Sequence, residues 1–195
     1  QPKNKVAHFN LAMLYYDAQK WEKAASEFKD VIDLDSKDVE SRKHLLDIYS
    51  KTKNSAAEVE TLQGLVQLDN DDLDYYKALF AIYDDKKDYK SMASMLQKGV
   101  EQNPDSVQLH QYLLYALLKV DDKKNAVKEL EQLIRLQPKE KEHLLRAANL
   151  YESLGQITEA QKMLERYLKL DPKNKEAQDN YMRLTKKLME NKKSH

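Results

Sequence analysis

The chain has 195 residues, 34 % of them charged, with only 3 Gly and 4 Pro, and its 33 Lys+Arg balance its 33 Asp+Glu. The absence of net charge excludes a bulk electrostatic grip on nucleic acid or an anionic membrane. The absence of cysteine excludes disulfides, thiol catalysis and thiolate-held zinc.

No apolar run approaches the roughly 18 residues that a membrane helix needs. No export signal is visible either, so a cytoplasmic location is expected. With so few chain breakers, long helices joined by short polar turns are expected.

The prolines disclose a repeat. Pro104, Pro138 and Pro172 are 34 residues apart, Pro2 lies on the same grid, and Ser36 and Asn70 fill its gaps. Three further columns keep the step: Tyr15, Tyr49, Tyr83, Leu117 and Tyr151; Phe28, Leu62, Leu96, Leu130 and Leu164; and Ile32, Val66, Val100, Ile134 and Leu168.

The repeats therefore run 5–38, 39–72, 73–106, 107–140 and 141–174. In each, apolar residues recur twice at helical spacing with a polar break between, which predicts two helices of about 13 residues, each ~20 Å long. In the last repeat, Leu144, Ala147, Ala148 and Tyr151 form one stripe and Ala160, Leu164, Tyr167 and Leu168 the other, and Asp171-Pro172 ends it. Segment 175–192 carries a single stripe, Ala177, Tyr181, Leu184 and Leu188, and reads as a solvating cap. Gln1-Pro2-Lys3-Asn4-Lys5 is worded like Asp171-Pro172-Lys173-Asn174-Lys175, which closes one repeat and opens the next. On that ground a further repeat is expected before residue 1, making this the C-terminal part of a longer array.

This pattern resembles the tetratricopeptide-repeat family over nearly the whole chain. Its small helix-contact residue matches Ala12 and Ala148 in first helices and Ala24, Ala126 and Ala160 in second helices. Its aromatic and proline columns match those above. The second repeat departs most, with Leu46 and Glu58 at the small positions, and the third carries Phe80 and Met92. Only Gly155 keeps the family's loop glycine; Gln19, Lys53, Lys87 and Asp121 replace it. The constant step and the Ala and Pro columns favour this family over half-a-TPR and pentatricopeptide repeats. The resemblance implies an all-α, right-handed superhelical solenoid of five repeats plus the C-terminal capping helix.

It also implies that first helices line a concave groove for a protein or peptide partner. The family's register places Phe9, Met13, Tyr16, Lys43, Asp47, Lys77, Gln111, Tyr112, Tyr115, Lys119 and Asn149 there. The implied function is a non-catalytic interaction scaffold. The alternative is a substrate-recruiting accessory domain of a larger enzyme or membrane-associated protein, and self-association through repeat ends is a further possibility. The Lys/Asn/Arg clamp by which some members grip a chaperone tail is not matched in any register. The acidic run Asp69, Asp71, Asp72 and Asp74 reads as a solvated loop, and Lys186, Lys187, Lys192 and Lys193 as solvation of an end.

Chemistry leaves little trace. Glu142-His143 lacks the second histidine of a zinc-protease helix, and His8, His44, His110 and His195 show no ligand spacing. Asp33, Asp35 and Asp38 lack the glycine and closing glutamate of a calcium loop, and three isolated glycines cannot form a phosphate loop. No enzyme activity, metal, cofactor or nucleic-acid partner is expected.

Overall fold

The computed structural model describes residues 4–193, and no side chain beyond residue 190. Pro2 of the proline grid, His195, and the side chains of Lys192 and Lys193 fall outside the described residues. Eleven helices and no strand occur among these residues. They are α1 (Lys5–Asp17), α2 (Trp21–Leu34), α3 (Val39–Lys51), α4 (Ser55–Leu68), α5 (Leu73–Asp85) and α6 (Tyr89–Gln102). They continue with α7 (Val107–Lys119), α8 (Lys123–Leu136), α9 (Lys141–Ser153), α10 (Ile157–Leu170) and α11 (Lys175–Lys193). The odd-numbered helices begin at 34-residue steps from Lys5 to Lys175. The chain folds as two compact units, one ending at Lys87 and the other beginning at Asp88.

Each turn is set by local chemistry. The residue before a helix is commonly Asn, Asp or Ser, and its side chain accepts from backbone N–H groups of the first turn. Asn4 does so for Val6 and Ala7, Asp38 for Ser41, and Asp88 for Ser91. Of the acidic run, Asp72 does the same for Asp74, while Asp69 accepts from the Asp71 N–H within the turn.

Between second and first helices, Ser106 N–H donates to the Asn103 carbonyl at 3.0 Å and Glu140 N–H to that of Gln137 at 3.0 Å. Pro104 and Pro138 stand second in these turns, where their fixed φ is already correct.

First helices end in a left-handed residue. Gln19, Lys53, Lys87 and Asp121 have φ between 54° and 58°, and Gly155 has 74°. Lys20 N–H bonds the Tyr15 carbonyl at 2.8 Å and Asn54 N–H that of Tyr49 at 2.9 Å, closing the helix in a Schellman turn. The loop-glycine column thus keeps its conformation where it has lost its glycine. A side chain with a Cβ is disfavoured there by roughly 1–2 kcal/mol. Lys53→Gly is accordingly expected to stabilise the N-terminal unit by about 1 kcal/mol, as read by urea unfolding.

The small column explains the packing. Ala12 and Ala24 are buried in the hairpin of α1 and α2, and Ala148 and Ala160 in that of α9 and α10. These two hairpins are the most extensive helix pairings in the chain. Each layer is sealed by the leucine column, with Phe28, Leu62, Leu96, Leu130 and Leu164 all buried. At the C-terminal end α11 packs on α10 through buried Ala177 and Leu184, the stripe read from the sequence.

The tyrosine column looks back at the preceding layer. Tyr151 Oη donates to a Glu131 carboxylate oxygen, and Tyr83 Oη accepts from Gln63 Nε2 at 3.1 Å. In the first pair of repeats the same place holds Lys29, whose Nζ lies 5.8 Å from the Tyr49 ring centre.

Candidate functional site

In the N-terminal unit the side chains of α1 and α3 build an aromatic nest. His44 stacks on Phe28 with ring centres 4.9 Å apart and 7° between planes. Phe9 and Tyr16 meet the His44 ring edge-on at 6.1 and 5.2 Å. Phe9, Met13 and Tyr16, three of the expected groove residues, are therefore half buried against their own unit's core. Tyr16 Oη donates to Asp47, which also holds Lys51. Burial raises the Asp47 pKa, but the bonds from Lys51 and Tyr16 outweigh it and leave the carboxyl below its ordinary value. Lys43 and Lys77 are exposed.

One contact recurs 68 residues apart, once in each unit, Lys51 over Trp21 and Lys119 over Tyr89. The second ring comes from α1 in the first case and from α7 itself in the other. Lys51 Nζ sits 5.2 Å from the Trp21 ring centre and 4.9 Å from that of Tyr16. Lys119 Nζ sits 5.6 Å from that of Tyr89 and 5.2 Å from that of Tyr115. In each case the last turn of a first helix lays its ammonium over the aromatic residue that opens the preceding second helix, a contact worth about 0.5–1 kcal/mol where exposed.

The C-terminal unit carries an open apolar cleft of about 470 Å³ between α7, α8 and α9. Its walls are Leu114, Leu118, Leu130, Leu150, Asn149 and Ser153, and its only charged groups are Lys123 and Arg146. Leu118 is 47 % exposed at its mouth. Of the expected groove residues, Asn149 lines this cleft, while Gln111 and Lys119 are exposed on α7 and Tyr112 and Tyr115 half buried there. Glu152, one turn beyond, is taken: Arg183 of α11 grips its carboxylate with two nitrogens at 2.5 and 2.7 Å. That bond lowers the Glu152 pKa.

Sequence reasoning missed Leu118, Lys123 and Arg146. The signal was there for Leu118. Its column otherwise reads Tyr16, Ser50, Asp84 and Glu152, so it is the one aliphatic residue at a polar position.

The histidines divide by environment. His143 is buried with Nε2 3.1 Å from Gln137 Oε1, and burial pushes its pKa down. His110 is buried between two acceptors, Glu129 at 2.6 Å from Nδ1 and the Pro104 carbonyl at 3.0 Å from Nε2. The bond to Glu129, and secondarily that to Pro104, raises its pKa against the opposing effects of burial and Arg135. His8 Nδ1 lies 2.7 Å from Glu27 Oε2 and 3.7 Å from Asp30 Oδ2.

Comparison with known proteins agrees with this architecture. Two tetratricopeptide-repeat models match the sequence, one over residues 9–72 and one over 117–181, together more than half of the chain. The chain belongs to the tetratricopeptide-repeat family. No curated protein sequence matches it. Among solved structures it is similar to YrrB, described as a tetratricopeptide-repeat protein with an unusual peptide-binding site. That match has 15 % identity over 91 % of each chain and a TM-score of 0.51. It is also similar to MamA. One MamA structure is 18 % identical over 87 % of this chain and 92 % of that one, with a TM-score of 0.51. Another, from AMB-1, is 23 % identical with the same coverage and a TM-score of 0.52. At these identities the likeness is one of fold. No helix among the described residues is long and apolar enough to cross a membrane.

Proposed function

We propose that this tetratricopeptide-repeat protein is a binding scaffold rather than a catalyst, and that its principal docking place is the cleft between α7, α8 and α9. The observation that supports this reading is the cleft's composition. It offers four leucines and no acidic group, with Lys123 and Arg146 at its edge. Arg146 makes no ion pair among the described residues. An apolar surface with a cationic edge suits a short amphipathic segment, helical or extended, whose apolar side chains enter while a neighbouring Asp or Glu meets Arg146. Lys119 with Tyr115, and Gln111 on the same helix, extend the surface along α7. Lys43 and Lys77 are the corresponding exposed positions of the N-terminal unit. YrrB's peptide-binding site is consistent with a peptide ligand in a chain of this fold.

The test is selection from a displayed library of random 16-residue segments against the immobilised chain. The expected outcome is enrichment of segments with apolar residues at i, i+3 or i+4, and i+7, flanked by Asp or Glu. No enrichment, or enrichment that persists on a Leu118→Glu target, would remove the proposal.

A further inference from the structure

We infer that His8, Glu27 and Asp30 form a binding site for a divalent transition metal of the zinc class, tying α1 to α2 in the N-terminal unit. This goes beyond the docking reading and is independent of it.

The three residues each offer one ligand atom, and these atoms all lie within 4.8 Å of one another. His8 Nδ1 is 2.7 Å from Glu27 Oε2 and 3.7 Å from Asp30 Oδ2. Zinc bonds of 2.0–2.1 Å in tetrahedral array separate neighbouring ligand atoms by about 3.3 Å. The two separations from His8 Nδ1 lie on either side of that value, and all three ligand atoms are within 4.8 Å of one another, within reach of side-chain adjustment about χ angles.

The donor set selects the metal. One imidazole and two carboxylates neutralise a divalent ion, and imidazole favours zinc and its neighbours over calcium and magnesium, which take oxygen ligands. Three protein ligands leave a fourth position open to water. Glu27 and Asp30 stand three apart on one helix, hence on one face, and His8 of α1 reaches both.

The repeat supplies its own control. One hundred and two residues on, in the same register, stand His110, Glu129 and Gln132. There His110 and Glu129 are buried, the second imidazole nitrogen is held by the Pro104 carbonyl, and a neutral amide replaces Asp30. The later set is a closed ion pair. The earlier one has a second carboxylate as its third ligand and remains partly open to solvent. In the sequence the ligands are 19 and 22 residues apart on different helices, which is why no ligand spacing appears.

Calorimetric titration of the chain with zinc chloride tests this, supported by cobalt(II) substitution. One tight site per chain is expected, with the intense visible absorption of tetrahedral cobalt. His8→Ala should weaken binding at least about tenfold. Asp30→Asn, which leaves the His8–Glu27 contact in place and alters only a half-exposed side chain, should do the same. His110→Ala, in the other unit, should leave the zinc affinity unchanged. Unaltered circular dichroism qualifies each variant. Equal affinity in parent and Asp30→Asn, or a loss on His110→Ala as large as that on His8→Ala, would overturn the assignment.

Discussion

Replacing Phe28 by alanine is expected to cost the N-terminal unit about 3–5 kcal/mol, a large share of the stability of a domain of this size. Phe28 is fully buried at the centre of the first hairpin and its junction with α3. Its ring stacks on His44 at 4.9 Å and receives the Phe9 edge at 5.8 Å and 71°. Truncation therefore removes both the buried ring and the geometry of its two partners. The single tryptophan, Trp21, lies in the same unit, edge-on to Tyr16 at 5.4 Å. Its fluorescence reports the urea midpoint of this unit, which should fall steeply. An unchanged midpoint would mean that the aromatic nest contributes little to the fold.

The second large effect is electrostatic and sits in the C-terminal unit. Glu129→Gln keeps the shape of the pair with His110 but removes the carboxylate that holds a protonated imidazole. Breaking a buried pair on one side costs about 3–5 kcal/mol. The sign of its pH dependence follows from the raised His110 pKa. The folded state holds the proton more tightly than the unfolded chain. The pair's contribution is therefore fully present below the unfolded value of about 6.5 and fades as pH rises through the folded one. The urea midpoints of parent and Glu129→Gln, read by helical circular dichroism, should converge as pH rises from 6, while His143, whose burial lowers its pKa, acts alike in both. Glu129→Gln should be the weaker protein at pH 6 and should close most of the gap at pH 9. A gap independent of pH would show that His110 is neutral in the fold.

The fold was legible because a repeat carries its own alignment. The proline grid, the tyrosine column and the leucine column restate the same positions from repeat to repeat, and a stray residue such as Asn70 or Leu117 is outvoted by its column. The Schellman turns show the limit of that legibility. Gln19, Lys53 and Lys87 do not announce a left-handed conformation, yet the helix-closing bonds to Tyr15 and Tyr49 and the packing of the hairpin impose it.

The site was less legible. Register placed Lys43, Lys77, Gln111, Lys119 and Asn149 on first helices, and they are exposed. Packing of Phe9, Met13 and Tyr16 inside their own unit is the competing reading of that strip, but the gathering of Phe9 and Tyr16 around the His44 ring depends on which rotamers fill the hairpin. Register could not show that Glu152 is gripped by Arg183 from α11 or that Asp30 faces His8. Those pairings join residues on different helices with no periodic signature. The His8–Glu27 and His110–Glu129 pairs share one register, but only the structure shows one open and the other closed.

The most direct measurement of the central claim is a titration of the segment selected by display against the parent and two variants, Leu118→Glu and Lys77→Glu. Leu118 is half exposed, so the substitution leaves the fold intact while placing a carboxylate in an apolar cleft. Binding is expected to be about 100-fold weaker for Leu118→Glu, the cost of losing a central apolar anchor and burying a charge beside the ligand. Little change is expected for Lys77→Glu in the other unit. Unchanged binding by Leu118→Glu, or equal losses in both variants, would contradict the placement of the docking site between α7, α8 and α9.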